Sequence, residues 1–219
     1  MKSKEDIPGL LRAVQVGERV FLRHPTGADR AAWVRLRDDS EAFLRPWEPT
    51  PPGIEEMLPS DVAFGRLMTT CDTRESQRYV ICLREDGRIA GQISLNHIVR
   101  GPMQGATAGY WIGEAFSRQG YMREGLGLAL RQAFEGLKLH RVEANIIPRN
   151  AASKALVKSL GFRFEGLAKR YLRINGAWED HEHWAMTAED WMDLRGRSAR
   201  ALRDGRARRS GSAARRASS

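Results

Sequence analysis

Cysteine and long apolar segments are scarce in this chain. Only two cysteines occur among 219 residues, Cys71 and Cys82, and neither has metal-ligand partners at a recognisable spacing. No run of about eighteen apolar residues is present, which excludes a membrane-spanning helix. The opening residues, MKSKEDIPGLLRAVQVGERV, lack the apolar stretch and small-residue cleavage site of a signal peptide. These absences together favour a reduced, cytoplasmic setting and one main domain.

The positive charge of the chain is concentrated at its C-terminus. The formal net charge is +9, but residues 195–219 alone hold nine arginines against one aspartate, or +8, which leaves about +1 for residues 1–194. This segment is rich in Arg, Ser, Ala and Gly and has no aromatic residue, so it cannot bury enough apolar surface to order itself. It is predicted to be either a solvated extension or an electrostatic arm for RNA or the ribosome.

Antiparallel strands are predicted first along the chain, and strand–helix units after them. Two β-rich runs flank Asp86-Gly87 and two more flank Asn175-Gly176, and both dipeptides favour hairpin turns. The fold class is therefore α/β in the broad sense, an α+β mixed sheet with helices on both faces. The predicted elements are a strand at 18–25, helices at 26–39 and 54–70, a strand at 106–113, a helix at 124–137, a strand at 141–147 and a helix at 151–160, with a stiff proline-rich loop at 43–53.

The stretch SRQGYMREGLG, residues 117–127, places glycines at the junction of a strand and a helix. The first N–H groups of a helix have no partner within the helix, and the helix dipole adds positive potential there. A glycine at position 120 can adopt a positive φ and let the backbone approach a phosphate closely. The alternative is that Gly120 only turns the chain while Gly125 and Gly127 allow close packing. The stretch is neither a Walker loop nor a dinucleotide-binding fingerprint.

The order of these segments resembles the GNAT superfamily of acetyl-CoA-dependent N-acetyltransferases. The resemblance covers residues 18–190 and is nearest to the RimJ/RimL type, which acetylates the N-terminal amine of ribosomal proteins. It is carried by LRPWEP (44–49), GYWIG (109–113), RQGYMREGL (118–126), HRVEANIIPRNAASKALVKSLGF (140–162) and EGLAKRYLRINGAWEDH (165–181). The superfamily loop is usually Q/R-x-x-G-x-G/A. Here Ser117 and Met122 depart from that pattern, although backbone donors survive such changes.

The resemblance implies a division into an N-terminal extension (1–17), a GNAT domain (18–194) and the basic tail (195–219). It also implies a largely antiparallel sheet whose central parallel pair, AGYWIG and RVEANII, splays apart so that the pantetheine arm of acetyl-CoA enters between the strands. Backbone N–H groups near Trp111, Ile112 and Gly113 would polarise the acetyl carbonyl. The remaining residues implied to bind the co-substrate are Arg118, Gln119, Gly120, Tyr121, Met122, Arg123, Asn145, Asn150 and Ser153.

Two residues are predicted to take part in catalysis, Ser153 and Glu114. Ser153 matches the Asn-x-x-Ser pattern of the relatives and would donate a proton to the CoA sulfur. The helix segment KALVKSLGF offers no tyrosine for that task. Glu114, just after the strand, would act as base through water. A peptide α-amine has a pKa of about 8, so roughly a tenth of it is neutral at pH 7 and only a modest base is needed.

The acceptor site is predicted around Trp47, Glu48 and Tyr171, with Glu48 gripping the substrate ammonium. His181 and His183 alternate along a strand with Asp180 and Glu182, and we interpret them as a polar network and not as a metal site. No metal is expected.

The predicted reaction is direct acetyl transfer, in a ternary complex, to the N-terminal α-amine of a protein, for instance a ribosomal protein that starts with Ala or Ser. Two alternatives stay open. One is acetylation of a polyamine, aminoglycoside or amino acid, and the other is a ribosome- or RNA-associated factor that uses the basic tail. The chain is expected to be a monomer or a homodimer.

Overall fold

Eight strands form a single sheet in the computed structural model, which describes residues 7–50 and 58–197. The strands are β1 (Gln15–Val16), β2 (Val20–Arg23), β3 (Gln77–Leu83), β4 (Ile89–Val99), β5 (Gly105–Ile112), β6 (Arg141–Ile146), β7 (Arg163–Ile174) and β8 (Ala177–Thr187). The helices are α1 (Arg30–Asp38), α2 (Glu41–Leu44), α3 (Ser60–Thr70), α4 (Tyr121–Arg131), α5 (Ala151–Ser159) and α6 (188–197). None of the described helices has the length and apolarity needed to cross a bilayer.

The strand order is β1-β2-β3-β4-β5-β6-β8-β7, and every neighbouring pair is antiparallel except β5 and β6. A crossover through α4 makes that one pair parallel, as strand–helix–strand units do. The predicted mixed sheet, largely antiparallel with a central parallel pair, is confirmed. Helices cover both of its faces, which is also as predicted.

Alternation of side chains along the strands separates two apolar layers. On one face α1 and α3 contribute Trp33 and Phe64, and the Trp33 indole N–H donates to Gln92 Oε1 on β4 at 3.1 Å. On the other face α4 and α5 pack with Leu126 and Val157. We call these the α1 face and the α4 face. Successive residues of β5 therefore point to different helices.

The two predicted hairpins both form, but their turns differ. Asn175 and Gly176 are the only residues between β7 and β8, and both have positive φ, 44° and 86°, as a type I′ turn requires. Between β3 and β4 the loop spans residues 84–88. There Gly87 takes the positive φ, 80°, and its N–H donates to the Leu83 carbonyl at 2.8 Å.

The chain departs from the sequence-based boundaries in several places. The helix predicted at 54–70 begins at Ser60, as α3, and residues 54–57 lie outside the described part. Residues 7–17, assigned to the N-terminal extension, supply β1 and two buried apolar side chains, Ile7 and Leu10, so the packed domain begins before residue 18. The loop 43–53 contains part of α2 and a 3₁₀ turn, Arg45–Trp47, and its residues from 51 lie outside the described part. Helix α4 begins at Tyr121, three residues before its predicted start. Of the basic tail, residues 195–197 continue α6, and the remainder, 198–219, lies outside the described residues.

Candidate active site

The central parallel strands separate beyond their first three residues. β5 and β6 pair only from Gly105 to Thr107 and from Arg141 to Glu143. Further along, β5 stays paired with β4 up to Ile112, and β6 stays paired with β8 up to Ile146. Each strand thus keeps its outer partner and leaves its inner edge free of strand pairing within the described chain. This opening, which we call the split, is the predicted splay.

One backbone N–H group near the end of β5 points into the split. The N–H of Gly113 donates to the Ala90 carbonyl of β4 at 2.9 Å. Backbone N–H groups alternate in direction along a strand, so the N–H of Ile112 points to the opposite edge, into the split. Of the three amides predicted to face the reacting carbonyl, that of Gly113 completes the ladder to β4, and by the same alternation that of Trp111 also points toward β4. Ile112 keeps the required direction.

A cradle of backbone N–H groups lies where β5 leads into α4. Gly120 caps the helix with φ 82°, and Arg118 also has a positive φ, 57°. The first N–H bonded within the helix is that of Glu124, to the Gly120 carbonyl at 3.1 Å. Among the described residues, the N–H groups of 118–123 have no acceptor in the protein. Several amides at the positive end of a helix dipole fit a phosphate or diphosphate.

Arg19, which the sequence did not single out, braces this cradle from β2. Its guanidinium donates to the Gln119 carbonyl at 2.9 Å and pairs with Glu124 at 3.2 Å. The same group lies over the Tyr121 ring, 5.0 Å from its centroid. Arg118 is exposed beside the cradle, and these contacts fix the loop without using its amides.

Gly120→Ala is expected to weaken coenzyme A binding about tenfold. A side chain at φ 82° costs roughly 1–2 kcal/mol, and the new Cβ would lie 2.9 Å from an Arg19 nitrogen. The half-exposed Arg19 guanidinium can move aside, but the strain at a positive φ is relieved only if the backbone turns and takes the amides away from the ligand. Isothermal calorimetry with coenzyme A measures the effect directly.

Gly127→Ala is the matched control in the same helix. The nearest atom to its new Cβ would be Leu160 Cδ2 at 3.9 Å, which is an ordinary contact. Its unfolding free energy should rise by about 0.5–1 kcal/mol from helix propensity, and its affinity for coenzyme A should not change. Equal losses of affinity in both variants would contradict a special role for Gly120.

Tyr110 and Ser153 form a hydrogen-bonded pair on the α4 face of the split. Their hydroxyl oxygens are 2.5 Å apart, and either can donate. Asn150 caps α5 by accepting the Ser153 N–H at 3.0 Å, so the predicted cap is present and fixes the start of the helix. Burial raises the pKa of the Tyr110 phenol to about 12, and the hydrogen bond from Ser153 acts in the opposite direction. Both hydroxyls therefore keep their protons at neutral pH.

On the α1 face, Trp111 and Glu48 are linked through the buried Arg37. The Arg37 guanidinium lies 5.2 Å from the Trp111 ring and 5.6 Å from the Trp33 ring. It also pairs with Glu48 at 2.7 Å. Burying an arginine is costly without a carboxylate partner. The charge of Glu48, predicted to grip a substrate ammonium, is thus already matched within the protein.

The loop that carries Trp47 and Glu48 is joined to the β7–β8 turn. Pro49 and Ile174 form an isolated bridge, and the Asn175 N–H donates to the Glu48 carbonyl at 3.0 Å. Arg149, just before α5, lies 4.8 Å from the Trp47 ring centroid and also pairs with Glu179 of β8 at 3.0 Å. These contacts bring the predicted acceptor residues to one side of the sheet.

Tyr171 lies on the same face, beside β6 and β8. Its hydroxyl accepts from Asn145 Nδ2 at 3.3 Å, and its ring centroid is 4.9 Å from that of His183 and 5.6 Å from that of His181. The polar network predicted for these histidines does not include the neighbouring carboxylates, because Asp180 pairs with Lys169 and Glu182 pairs with Lys154. Within the described residues no group of three or more His, Cys, Asp or Glu side chains could hold a metal ion.

The other predicted site residues are distributed around the cradle and the end of β5. Tyr121 and Met122 begin α4 and pack partly against the core. Gln119 Nε2 donates to the Ala115 carbonyl at 2.8 Å, and Arg123 Nε donates to Ser159 Oγ at 3.2 Å, which ties α4 to α5. Glu114 has an exposed side chain, and its N–H donates to Ser40 Oγ at 3.0 Å.

The sequence is similar to those of known acetyltransferases. A family model described as the acetyltransferase (GNAT) domain matches residues 19–163. The chain is 40% identical over 116 residues to the probable N-acetyltransferase YjcK of Bacillus subtilis, covering 53% of this chain and 64% of that protein, just under two thirds. It is 34% identical over 168 residues to the [ribosomal protein uS5]-alanine N-acetyltransferase of Escherichia coli, covering 74% of this chain and 86% of that one.

Solved structures of acetyltransferases also superpose on this chain. The structure of Mycobacterium smegmatis RimJ in complex with CoA-disulfide superposes with a TM-score of 0.71 at 33% identity, covering 78% of this chain and 83% of that chain. A ribosomal-protein-S5-alanine acetyltransferase from Vibrio fischeri superposes with a TM-score of 0.69 at 29% identity, covering 80% and 97%. The chain therefore belongs to the GNAT acetyltransferase family.

Proposed function

We propose that the protein transfers the acetyl group of acetyl-CoA directly to the N-terminal α-amine of a protein in the cytoplasm. The observation that carries this proposal is the split, which has an amide cradle at its mouth, hydroxyl donors on one face and a separate polar group on the other. A thioester and an amine can approach the same point from opposite faces of such an opening. The Mycobacterium smegmatis relative was solved with a CoA-disulfide, which supports coenzyme A as the co-substrate.

The residues that would hold acetyl-CoA follow from the geometry. The free amides of residues 118–123 would bind the diphosphate, with Arg118 and Arg123 adding positive potential. The pantetheine arm would run along the split between β5 and β6, past the backbone of Asn145 and the capped end of α5 at Asn150. The described residues supply the donors that such a ligand needs.

Catalysis would rest mainly on positioning. The Ile112 N–H would stabilise the developing negative charge on the acetyl oxygen. The departing thiolate, whose thiol has a pKa near that of cysteine at about 8.5, would meet the Tyr110–Ser153 pair and the N-terminus of α5. Holding amine and thioester together converts a bimolecular reaction into an effectively unimolecular one, which supplies a large part of the acceleration. Glu114 stays a candidate for a water-mediated base.

The acceptor class rests on the relatives. The Escherichia coli protein, 34% identical over 86% of its length, is a [ribosomal protein uS5]-alanine N-acetyltransferase. We therefore infer that the acceptor is the flexible N-terminus of a ribosomal protein whose first residue is Ala or Ser. The basic tail would add a contact to ribosomal RNA.

A comparison of acceptors tests the proposal. Peptides starting with Ala or Ser should be acetylated at the α-amine, while the same peptides with a blocked N-terminus should not react, even when they contain lysine. A lysine amine, with a pKa of about 10.4, is neutral in fewer than about one molecule in a thousand at pH 7. Mass spectrometry of proteome N-termini with and without the protein would then identify the acceptor.

Two outcomes would overturn this function. If spermidine, an aminoglycoside or an amino acid is turned over faster than any peptide, the function is acetylation of a small molecule. RNA binding without acetylation of any amine would favour an assembly factor. Removing residues 195–219 should reduce ribosome association and leave peptide acetylation intact.

A further inference from the structure

Two buried polar atoms without a partner belong to residues on neighbouring strands of the α1 face. Five buried side-chain nitrogen or oxygen atoms of the described residues have no hydrogen-bond partner: Arg23 Nε, Arg37 Nε, Arg84 Nε, Asn145 Oδ1 and His183 Nε2. The three arginines bind acceptors through their other guanidinium nitrogens. Asn145 and His183 remain, and they are directly opposed on β6 and β8.

Both side chains lie at the split. Asn145 is two residues past Glu143, the last residue of β6 that pairs with β5. Paired residues on neighbouring strands share a face, so the register Gln92–Trp111, Thr107–Glu143 and Asn145–His183 places this pair on the face of Trp111. The Tyr110–Ser153 pair lies on the opposite face. Unpartnered buried polar atoms are costly to a fold, so a ligand that supplied their hydrogen bonds would be favoured.

We propose that His183 and Asn145 form the acceptor-amine subsite, in which His183 Nε2 removes a proton from the incoming ammonium and Asn145 Oδ1 accepts a second N–H. This inference rests on the proposed function and names the base of that reaction. Tyr171 supports the subsite, because its hydroxyl accepts from Asn145 Nδ2 and its ring packs edge-on against His183.

The proton balance closes with these groups. The ammonium gives one proton to Nε2, and the freed lone pair forms the C–N bond at the acetyl carbon. The C–S bond then breaks with its electron pair on sulfur, and the nitrogen loses its second proton as the amide forms. That second proton goes to solvent, and sulfur takes a proton from the Tyr110–Ser153 hydroxyls, which regain one from solvent, so that sulfur ends as the thiol. The net products are amide, coenzyme A and one proton, which His183 releases to solvent.

His181, on the same strand and face, is bonded differently. Its Nδ1 lies 3.1 Å from the Glu179 carbonyl, and burial lowers its pKa. His183 has no such backbone partner. The titratable side chains that face His183 or lie along the same face are Tyr171, His181, Glu143, Glu165 and Glu179. Each of the three glutamates has an arginine partner: Glu143 and Glu165 pair with Arg141, and Glu179 pairs with Arg149. From the loop above this face, Glu48 pairs with Arg37.

His183→Gln tests the assignment through the pH dependence of kcat/KM with an Ala-starting peptide. Roughly a tenth of an α-amine is neutral at pH 7, so loss of the base should lower kcat/KM about tenfold there. Without a base the rate should follow the neutral fraction of the amine, rising about tenfold from pH 6 to 7 and about fivefold from pH 7 to 8. The wild-type rate should change less with pH over this range, and the two rates should converge above about pH 9, where the amine is neutral without a base.

Three comparisons make the result decisive. Coenzyme A affinity and melting temperature should match the wild type in His183→Gln, which excludes misfolding as the cause. Asn145→Ala should raise the KM for peptide severalfold and keep the wild-type pH profile. An N-terminus whose amine pKa is lowered by fluorination should react almost equally with wild type and His183→Gln, because it needs no base.

A wild-type pH profile in His183→Gln would overturn the proposal. So would a lost plateau in His181→Gln or Glu114→Gln alone, which would assign the base to that residue. Failure of the proposed function looks different: the wild-type protein itself would then acetylate no peptide α-amine, and no profile could be measured with that acceptor.

Discussion

Tyr110→Phe is expected to lower kcat for peptide acetylation about 10²-fold, at the low end of the range for acid–base groups, and to leave the KM for acetyl-CoA within about twofold. The phenol lies 2.5 Å from Ser153 Oγ on the α4 face of the split. With a pKa raised to about 12 it stays protonated across the assay range and can donate a hydrogen bond to the departing thiolate. That thiolate exists only late in the reaction, so the lost contact should appear in kcat and not in binding.

Single-turnover and steady-state rates check this expectation, with Tyr79→Phe as the matched control. Tyr79 is also a buried tyrosine on the sheet, burial also raises its pKa, and its hydroxyl donates to Gln77 Oε1. Removal of that hydroxyl should leave kcat unchanged. A loss of similar size in Tyr79→Phe would show that sheet packing, and not proton donation, limits the rate.

Ser153→Ala extends the test to the pair. It should lower kcat to the level of Tyr110→Phe, and the double variant should be no slower than either, because groups that act as one unit are not additive. Independent, multiplying losses would contradict a shared hydrogen bond to the thiolate. An unchanged kcat in Ser153→Ala would remove its catalytic role and leave Tyr110 as the donor.

Local signals in the sequence are sufficient to predict most of the strands and turns of the sheet. Asn175-Gly176 predicts its turn because both residues must adopt positive φ, and few other dipeptides do so cheaply. The start of α4 was placed three residues late because the cap is Gly120, a residue that a helix pattern does not count. The described part of the proline-rich loop, residues 43–50, contains helical turns and is held by backbone bonds to Arg173 and Asn175, and such distant partners have no local signature.

The site was predictable only in part. Gly120 and Asn150 carry their roles in local backbone geometry, so a motif can identify them. The Tyr110–Ser153 contact joins residues 43 positions apart. The helix that carries Ser153 has no tyrosine of its own, and nothing local in the sequence shows that a tyrosine on the facing strand takes that place. The Asn145–His183 pair depends on strand register, and the pairing of Arg37 with Glu48 depends on how α1 packs. These relations exist only once the sheet has formed.

Asp29→Asn is expected to lower the unfolding free energy by about 3 kcal/mol and the melting temperature by roughly 6–12 °C. The carboxylate binds Arg23 of β2 through both oxygens, at 2.6 and 2.7 Å, and accepts the Thr26 N–H at 2.6 Å. Both charged side chains are buried, so an amide would leave the Arg23 guanidinium without its counter-charge. This pair joins β2 to the start of α1, the helix that presents Trp33 and Arg37 to the acceptor face.

The same pair should make stability depend on pH in acid. Burial alone raises the pKa of the Asp29 carboxyl, but hydrogen bonds from Arg23 and Thr26 outweigh it, so the pKa lies below its ordinary value. A depressed folded-state pKa gives stability that is fully present above the unfolded-state value, about 3.9, and that is lost as pH falls through the folded-state value. Urea unfolding of the wild type should therefore weaken below about pH 4, and Asp29→Asn should show a shallower decline there.

Asp61→Asn provides the control. Asp61 pairs with Arg30 of α1 at 2.6 Å, but both side chains are more than half exposed, so solvent screens the interaction and its loss should not shift the melting temperature measurably. The two variants make the same chemical change at opposite ends of the burial range. If Asp29→Asn melts at the same temperature as Asp61→Asn and the wild type, the buried pair contributes nothing net, and the orientation of α1 must depend on the apolar contact of its Trp33 with Phe64 of α3.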